Sequence, residues 1–211
     1  MLISQSETKK LDPRIRRTRK LLNQAFVDLM HEKGFQSITV QDIADRAEVN
    51  RATFYAHYED KYDLLDSYTR ESFLDWLSQK NPALGEFRVE LLNRLVTSIF
   101  EFTAQIDNHC GHLDKQLEPM LAAAVQEELA RYLQAWFHQT PADAILLRQP
   151  PDVVSMIWSW AILGAGMQWS RSARTLTASE VAIQVVDVLT APLASPERKV
   201  QTWKGQPSKM Y

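Results

Sequence analysis

Apolar positions in the first third of the chain recur at three- and four-residue intervals, in runs punctuated by helix-capping residues. Leu21, Leu22, Ala25, Phe26, Leu29 and Met30 form one stripe of a helix that Asp12-Pro13 is placed to start and Gly34 to end. Two short helices follow with almost nothing between them. Thr39 is placed to cap the first, with Asp42 at the third helical position and Ile38 and Ile43 at staple spacing. Asn50 is placed to cap the second, with Val49 and Phe54 as its staple. The inward face of the pair is Ile43, Ala44, Ala47, Val49 and Phe54, mostly small or branched, which lets two helices cross closely. Arg51, Ala52, Thr53, Tyr55 and His57 are left pointing elsewhere. This is the spacing of a helix-turn-helix, and the preceding helix is what such a small unit needs to pack against.

Further along, Glu59-Asp60 caps a longer helix that starts at Lys61. It carries Leu64, Leu65, Tyr68, Phe73, Trp76 and Leu77 until Pro82 breaks the pattern. A helix from about Glu86 to Asp107 is apolar on more than one face and so belongs at the centre of a larger body. Pro119 opens another that runs to about Gln139, and Pro141, Pro150 and Pro151 bracket a shorter one. Two final helices are predicted over 151–172 and 177–193, the second opened by a Thr177/Glu180 capping box with Leu176 and Val181 as staple. Their stripes, Ile157, Ala161, Gly164 and Ala165 on one and Val181, Val185 and Val188 on the other, are too extensive for a chain end to bury unaided. They predict a two-fold interface with a second copy. The fold class is all-α: a three-helix head over 1–60, a helical body over 61–195 and a flexible tail over 196–211.

Charge changes this picture in one respect. The chain of 211 residues has a net charge of −2, which argues against a uniformly basic surface, but the charge is segregated. Lys9, Lys10, Arg14, Arg16, Arg17, Arg19 and Lys20 crowd the start, opposed there only by Glu7 and Asp12, whereas acids outnumber bases from Tyr62 to Ser195. A basic cluster of this kind neutralises phosphate and makes affinity fall with salt. Cys110 is the only cysteine, which excludes an intrachain disulfide and fits a reducing compartment. The start carries charge where a signal peptide needs an apolar run. The most apolar stretch, Val153 to Trp169, falls short of the ~20 residues that span a bilayer. A cytoplasmic location is the expectation. His109, Cys110 and His112 match no standard zinc spacing, and no phosphate loop, serine elbow or helical histidine pair is present. Neither a metal, a cofactor nor catalysis is expected.

In helix-turn-helix proteins the second helix enters the major groove, where Arg can pair with guanine, Thr can bond or make a methyl contact, and Tyr or His can reach base or phosphate. On the residues alone, a surface helix of an unrelated bundle fits the same pattern. The stretch IADRAEVNRATFYAHYEDKYDLL, however, resembles the DNA-binding signature of the tetracycline-repressor (TetR) family of bacterial transcription regulators. The family spacing holds from Arg17 to Leu65. The sequence departs from it in Glu48, where the family usually has Gly in the turn, and in Tyr58, where it usually has Phe. The resemblance implies a homodimeric regulator, a repressor at a palindromic operator on double-stranded DNA, whose body binds a small-molecule effector. It implies DNA contacts from Arg16, Arg17, Lys20, Thr39, Asn50, Arg51, Ala52, Thr53, Tyr55 and His57, and a phosphate contact from Lys61 at its helix N-terminus. Trp76, Phe100, Trp136 and Trp158 are candidates for the effector pocket, with plain core as their alternative. Two rivals remain at this stage: a co-regulator whose body binds another protein, and a carrier or enzyme that shares the bundle.

Overall fold

The computed structural model describes residues 12–81, 85–109, 116–141 and 149–191, and the regular elements among them are helices. The first, α1 (Pro13–Lys33), opens where the Asp12 carboxylate accepts a hydrogen bond from the Arg14 N–H at 2.9 Å. It closes at Gly34, whose φ of 71° is open to glycine at no Cβ cost. A 3₁₀ turn at Phe35–Ser37 leads into α2 (Val40–Arg46), started by a complete capping box between Thr39 and Asp42. Then comes α3 (Arg51–Tyr55), where the Asn50 side chain accepts from the Thr53 N–H at 2.7 Å. The longer elements are α4 (Lys61–Lys80), α5 (Val89–His109), α6 (Glu118–Gln139), α7 (Pro151–Ser170) and α8 (Ala178–Thr190). Their starts at Asp60 and Thr177 are capped as the sequence predicts, whereas α5 begins at Val89 rather than Glu86. The arm before residue 12, the short helix expected between Pro141 and Pro150, Cys110, His112 and the tail lie outside the described residues.

Two hydrophobic cores form. The first gathers Leu22, Ala25, Phe26 and Leu29 of α1, Ile43 of α2 and Phe54 of α3. Leu21, expected in that stripe, is 44% exposed, because the stripe continues through Leu22 one residue round the helix. The second core gathers Phe73 and Leu77 of α4 with the inner faces of α5, α6, α7 and α8. Neither core is confined to its end of the chain. Leu64 and Leu65 of α4, and Leu117 beside the start of α6, pack into the first core. Farther along the same helices, Phe73, Leu77, Val125 and Leu129 pack into the second. The head therefore draws part of its core from beyond residue 60, and α4 and α6 run through both units.

Polar contacts fix those two helices to each other. The Arg70 guanidinium of α4 meets Asp66 at 2.7 Å and reaches Glu127 and Glu128 of α6 at 2.9 and 3.1 Å. Arg131 shares Glu128, whose side chain is buried. Elsewhere, α5 and α7 cross closely at Gly166, where a Cβ would stand 3.1 Å from the Phe100 ring and 3.2 Å from the Thr103 hydroxyl. The small residue that permits this approach is Gly166. Gly164 faces open space instead, with nothing within 4 Å of a Cβ built on it.

Candidate nucleic-acid interface

The recognition face is built on a buried support. Phe54 is fully buried, which contributes about 1.5–3 kcal/mol through the apolar area removed from water. Because it occupies the inner side of α3, Arg51, Ala52 and Tyr55 must face outward, and all three are exposed. Arg51 donates to the Tyr55 hydroxyl at 3.1 Å, with its guanidinium 5.6 Å from the Tyr55 ring centroid. The pair at i and i+4 holds the cation over the outer face of α3 before any ligand arrives. Thr53 donates its hydroxyl to Asn50 at 3.0 Å, and Thr39 donates its own to Asp42 at 2.6 Å. Asn50, Thr39 and Thr53 are thus engaged in capping, which leaves the Thr53 methyl and the free lone pairs of these groups to the outside.

Charge around this face is arranged unevenly. Arg16, Arg17 and Lys20 are exposed on α1 and form no ion pair with a described residue. Arg19 is different: it donates to Ser67 at 2.5 Å and Glu71 at 2.7 Å, binding α1 to α4. The Lys33 ammonium lies 2.8 Å from Asp42, and this hydrogen bond, with those from Thr39, holds the Asp42 carboxyl well below the usual carboxylate range. His57 is pushed below its ordinary value by burial and by the positive charge of Arg19. It is therefore neutral at neutral pH and offers a single N–H donor rather than a cation.

Two family departures have local explanations. Glu48 has a φ of 56°, the left-handed conformation that glycine would take at no steric cost and another residue takes at about 1 kcal/mol or more. Tyr58 is buried, and its hydroxyl donates to Asn23 at 3.0 Å beneath the Arg19 guanidinium, which lies 5.0 Å from the ring. Burial pushes its phenol up to about 12, so it stays a neutral donor. Asn23, Arg19, Ser67 and Glu71 make a polar bracket for this hydroxyl. The sequence reading missed it because its members lie far apart along the chain.

Lys61 corrects an expectation. Its ammonium donates to the carbonyls of Phe35, Gln36 and Ile38 at 3.1, 3.3 and 2.9 Å and lies 4.6 Å from the Phe35 ring centroid. All three of its donors are committed to the chain itself. The N–H groups at this helix start, which could otherwise face an anion, are engaged too, since Asp60 accepts from Tyr62 and Asp63 at 2.8 and 2.9 Å. Lys61 is a clamp between the 3₁₀ turn and α4, not a free phosphate contact. Lys61→Ala should therefore cost about 1–3 kcal/mol of stability through the loss of its charge-assisted hydrogen bonds to these carbonyls. Chemical denaturation of the two proteins checks this, and an unchanged midpoint would refute it.

The aromatic residues expected to line a pocket are core. Trp136 packs on Phe87 at 5.2 Å, Trp158 on Phe137 at 5.4 Å and Phe100 on Trp169 at 5.7 Å, while the Trp76 N–H donates to the Ser98 carbonyl at 2.9 Å. On the last two helices, Ile157, Ala161, Gly164 and Val188 are exposed as expected. Ala165, Val181 and Val185 instead pack against the chain's own core, and Met156, Trp160 and Ile183 take the outward positions. Among the described residues no helix is long and apolar enough to cross a membrane.

The head's sequence also matches a known one. Residues 22–68 match the family described as bacterial regulatory proteins, tetR family. The head thus matches the DNA-binding unit of the TetR family. An HTH-type transcriptional regulator of Bacillus subtilis, YxbF, is 42% identical over 65 residues, 30% of this chain and 17% of YxbF. The HTH-type transcriptional repressor DhaR of a Mycobacterium species is 29% identical over 108 residues, 50% of this chain and 54% of DhaR. The chain thus spans less than two thirds of either relative. Thermus thermophilus FadR, a TetR-family transcriptional repressor solved with lauroyl-CoA, superposes with a TM-score of 0.60 over 89% of this chain and 100% of that one, at 19% identity. At that identity the likeness is one of fold, and it extends the TetR-family architecture from the head through the helical body. Regulators of this family bind DNA and dimerise.

Proposed function

We propose that this protein is a one-component, cytoplasmic transcriptional repressor. Two heads of a homodimer bind a palindromic operator, and a small-molecule effector held by the body releases them. The observation that carries the reading is the outer face of α3, where Arg51 is held over Tyr55 on a helix whose opposite side is locked by the buried Phe54. The exposed Arg16, Arg17 and Lys20 on α1 supply the phosphate contacts, which set affinity and position rather than sequence. The dimer forms through the outward face of α7 and α8, which exposes the large apolar side chains of Met156, Ile157, Trp160, Ile183 and Val188. FadR, an acyl-CoA-bound relative in fold, and DhaR, a repressor, support the effector and the sign of regulation by likeness.

In this reading α4 is the lever, fixed to α1 by Glu71, to the 3₁₀ turn by Lys61 and to α6 by Arg70. Half-sites lie one turn of DNA apart or a multiple of it, so a small change in the separation of the heads costs both sets of contacts. An effector that prefers the wrongly spaced arrangement gains about 1–3 kcal/mol of coupling, and operator weakens the effector by the same factor.

Two substitutions separate the roles. Arg51→Ala should lose about 1–3 kcal/mol of discrimination at one base pair of each half-site, where a bidentate arginine–guanine pair is lost. Arg17→Ala should weaken all sequences alike and reduce the salt slope by about 1. Binding profiles of the two variants on a site library decide the matter. Coincident profiles would contradict the assignment.

A further inference from the structure

The two hydrophobic cores do not close completely on each other. Where α1, α4, α5 and α6 come together there is a cavity of about 320 Å³. The head contributes Phe26 and Met30 from α1, the body contributes Phe102 and Ile106 from α5, and Tyr68 of the shared helix α4 forms a wall between them. The space is a largely apolar recess that opens to solvent past exposed His31 and Gln105. Its volume falls at the lower end of small-molecule pockets, about 300–1,000 Å³. None of Trp76, Phe100, Trp136 and Trp158 borders it.

The lining sets the chemistry of an occupant. Among the described residues no Asp, Glu, Lys or Arg borders the cavity, and the Thr69 hydroxyl is turned back onto the Leu65 carbonyl at 2.8 Å. A full charge placed inside would lose its hydration without a charged partner among the described residues. The other polar side chains among the described lining residues are His31 and Gln105, both exposed at the rim, and Ser72, which is half-buried. Deep walls are aromatic and aliphatic. We propose that this cavity is a ligand site for a neutral, largely apolar molecule the size of two fused aromatic rings, carrying one polar group that lies beside Ser72. A coenzyme A thioester is far too large for it.

Position gives the site its consequence, which rests on the reading of the protein as a DNA-binding regulator. One wall, α1, moves with the helix-turn-helix, and the opposite wall, α5, is part of the body. A ligand bound between them acts on the head–body arrangement directly, by its differential affinity for the arrangements that fit and do not fit DNA.

The test uses the full chain and 2-naphthol, with naphthalene-2-sulfonate as the charged counterpart. Calorimetry should show one naphthol per chain, and the sulfonate should bind at least tenfold more weakly. Tryptophan emission should change on binding, since the Phe102 ring lies 5.8 Å from that of Trp76. Ser72→Phe and, independently, Val27→Phe fill the cavity and should each weaken naphthol at least tenfold while helical circular dichroism is retained. Absence of naphthol binding to the wild type, or equal binding to both filled variants, overturns the site. Operator affinity of the wild type should change at least threefold with saturating naphthol, and that of a filled variant should not. An unchanged wild-type affinity overturns the regulatory consequence alone. Absence of selective DNA binding without any naphthol overturns the regulator reading and leaves the naphthol result standing.

Discussion

Gly164→Trp is expected to yield a folded monomer that has lost most of its operator affinity. A Cβ at Gly164 meets nothing within 4 Å in the single chain, so the indole can be accommodated without disturbing α7. In a two-fold dimer through α7 and α8 the same position faces its partner, and each dimer carries the intrusion twice. The face around it is apolar: Trp160 is 51% exposed and Val188 74%. Loss of the second head removes the effective-concentration advantage of two linked half-site contacts, worth about 10²–10⁴ in affinity. Sedimentation and operator titration read the two effects together. A variant that sediments as a dimer and binds DNA as the wild type does would place the interface elsewhere.

The second large effect is expected from Phe54→Ala. Removing a fully buried ring leaves both the lost transfer energy and a cavity, about 3–5 kcal/mol together. Phe54 packs in the head's core and is absent from the body's, so the loss should be local. Hydrogen exchange should show amides of α1, α2 and α3 losing protection while those of α5 and α7 keep theirs. DNA binding should disappear with it, because Arg51 and Tyr55 are aimed only as long as Phe54 is seated. Uniform loss of protection through both cores would contradict this separation.

The head was the more legible half of the chain. Its helix starts are set by side chains two or three residues away, as at Thr39 with Asp42 and Asn50 with Thr53, and such local chemistry can be read from spacing. Lys61 was misread because its partners at Phe35, Gln36 and Ile38 come from another element, and an isolated lysine carries no sign of them. The last two helices were misread in part for another reason. A helix apolar on several sides has one stripe for its own core and one for a partner, and periodicity does not say which is which. Val181 and Val185 took the inner stripe, and Ile183 and Val188 the outer one. The cavity between the cores was beyond reach of the sequence. It is a failure of four helices to fill a space, and no single stripe encodes it.

The central claim is that two heads of one dimer read an inverted repeat. Selection of bound sequences from a random DNA pool by the full chain tests it most directly. Enrichment of two symmetric half-sites whose centres lie about one helical turn apart or a multiple of it, bound by two chains, is expected. Enrichment of a single unrepeated motif, or of no motif at all, would contradict it.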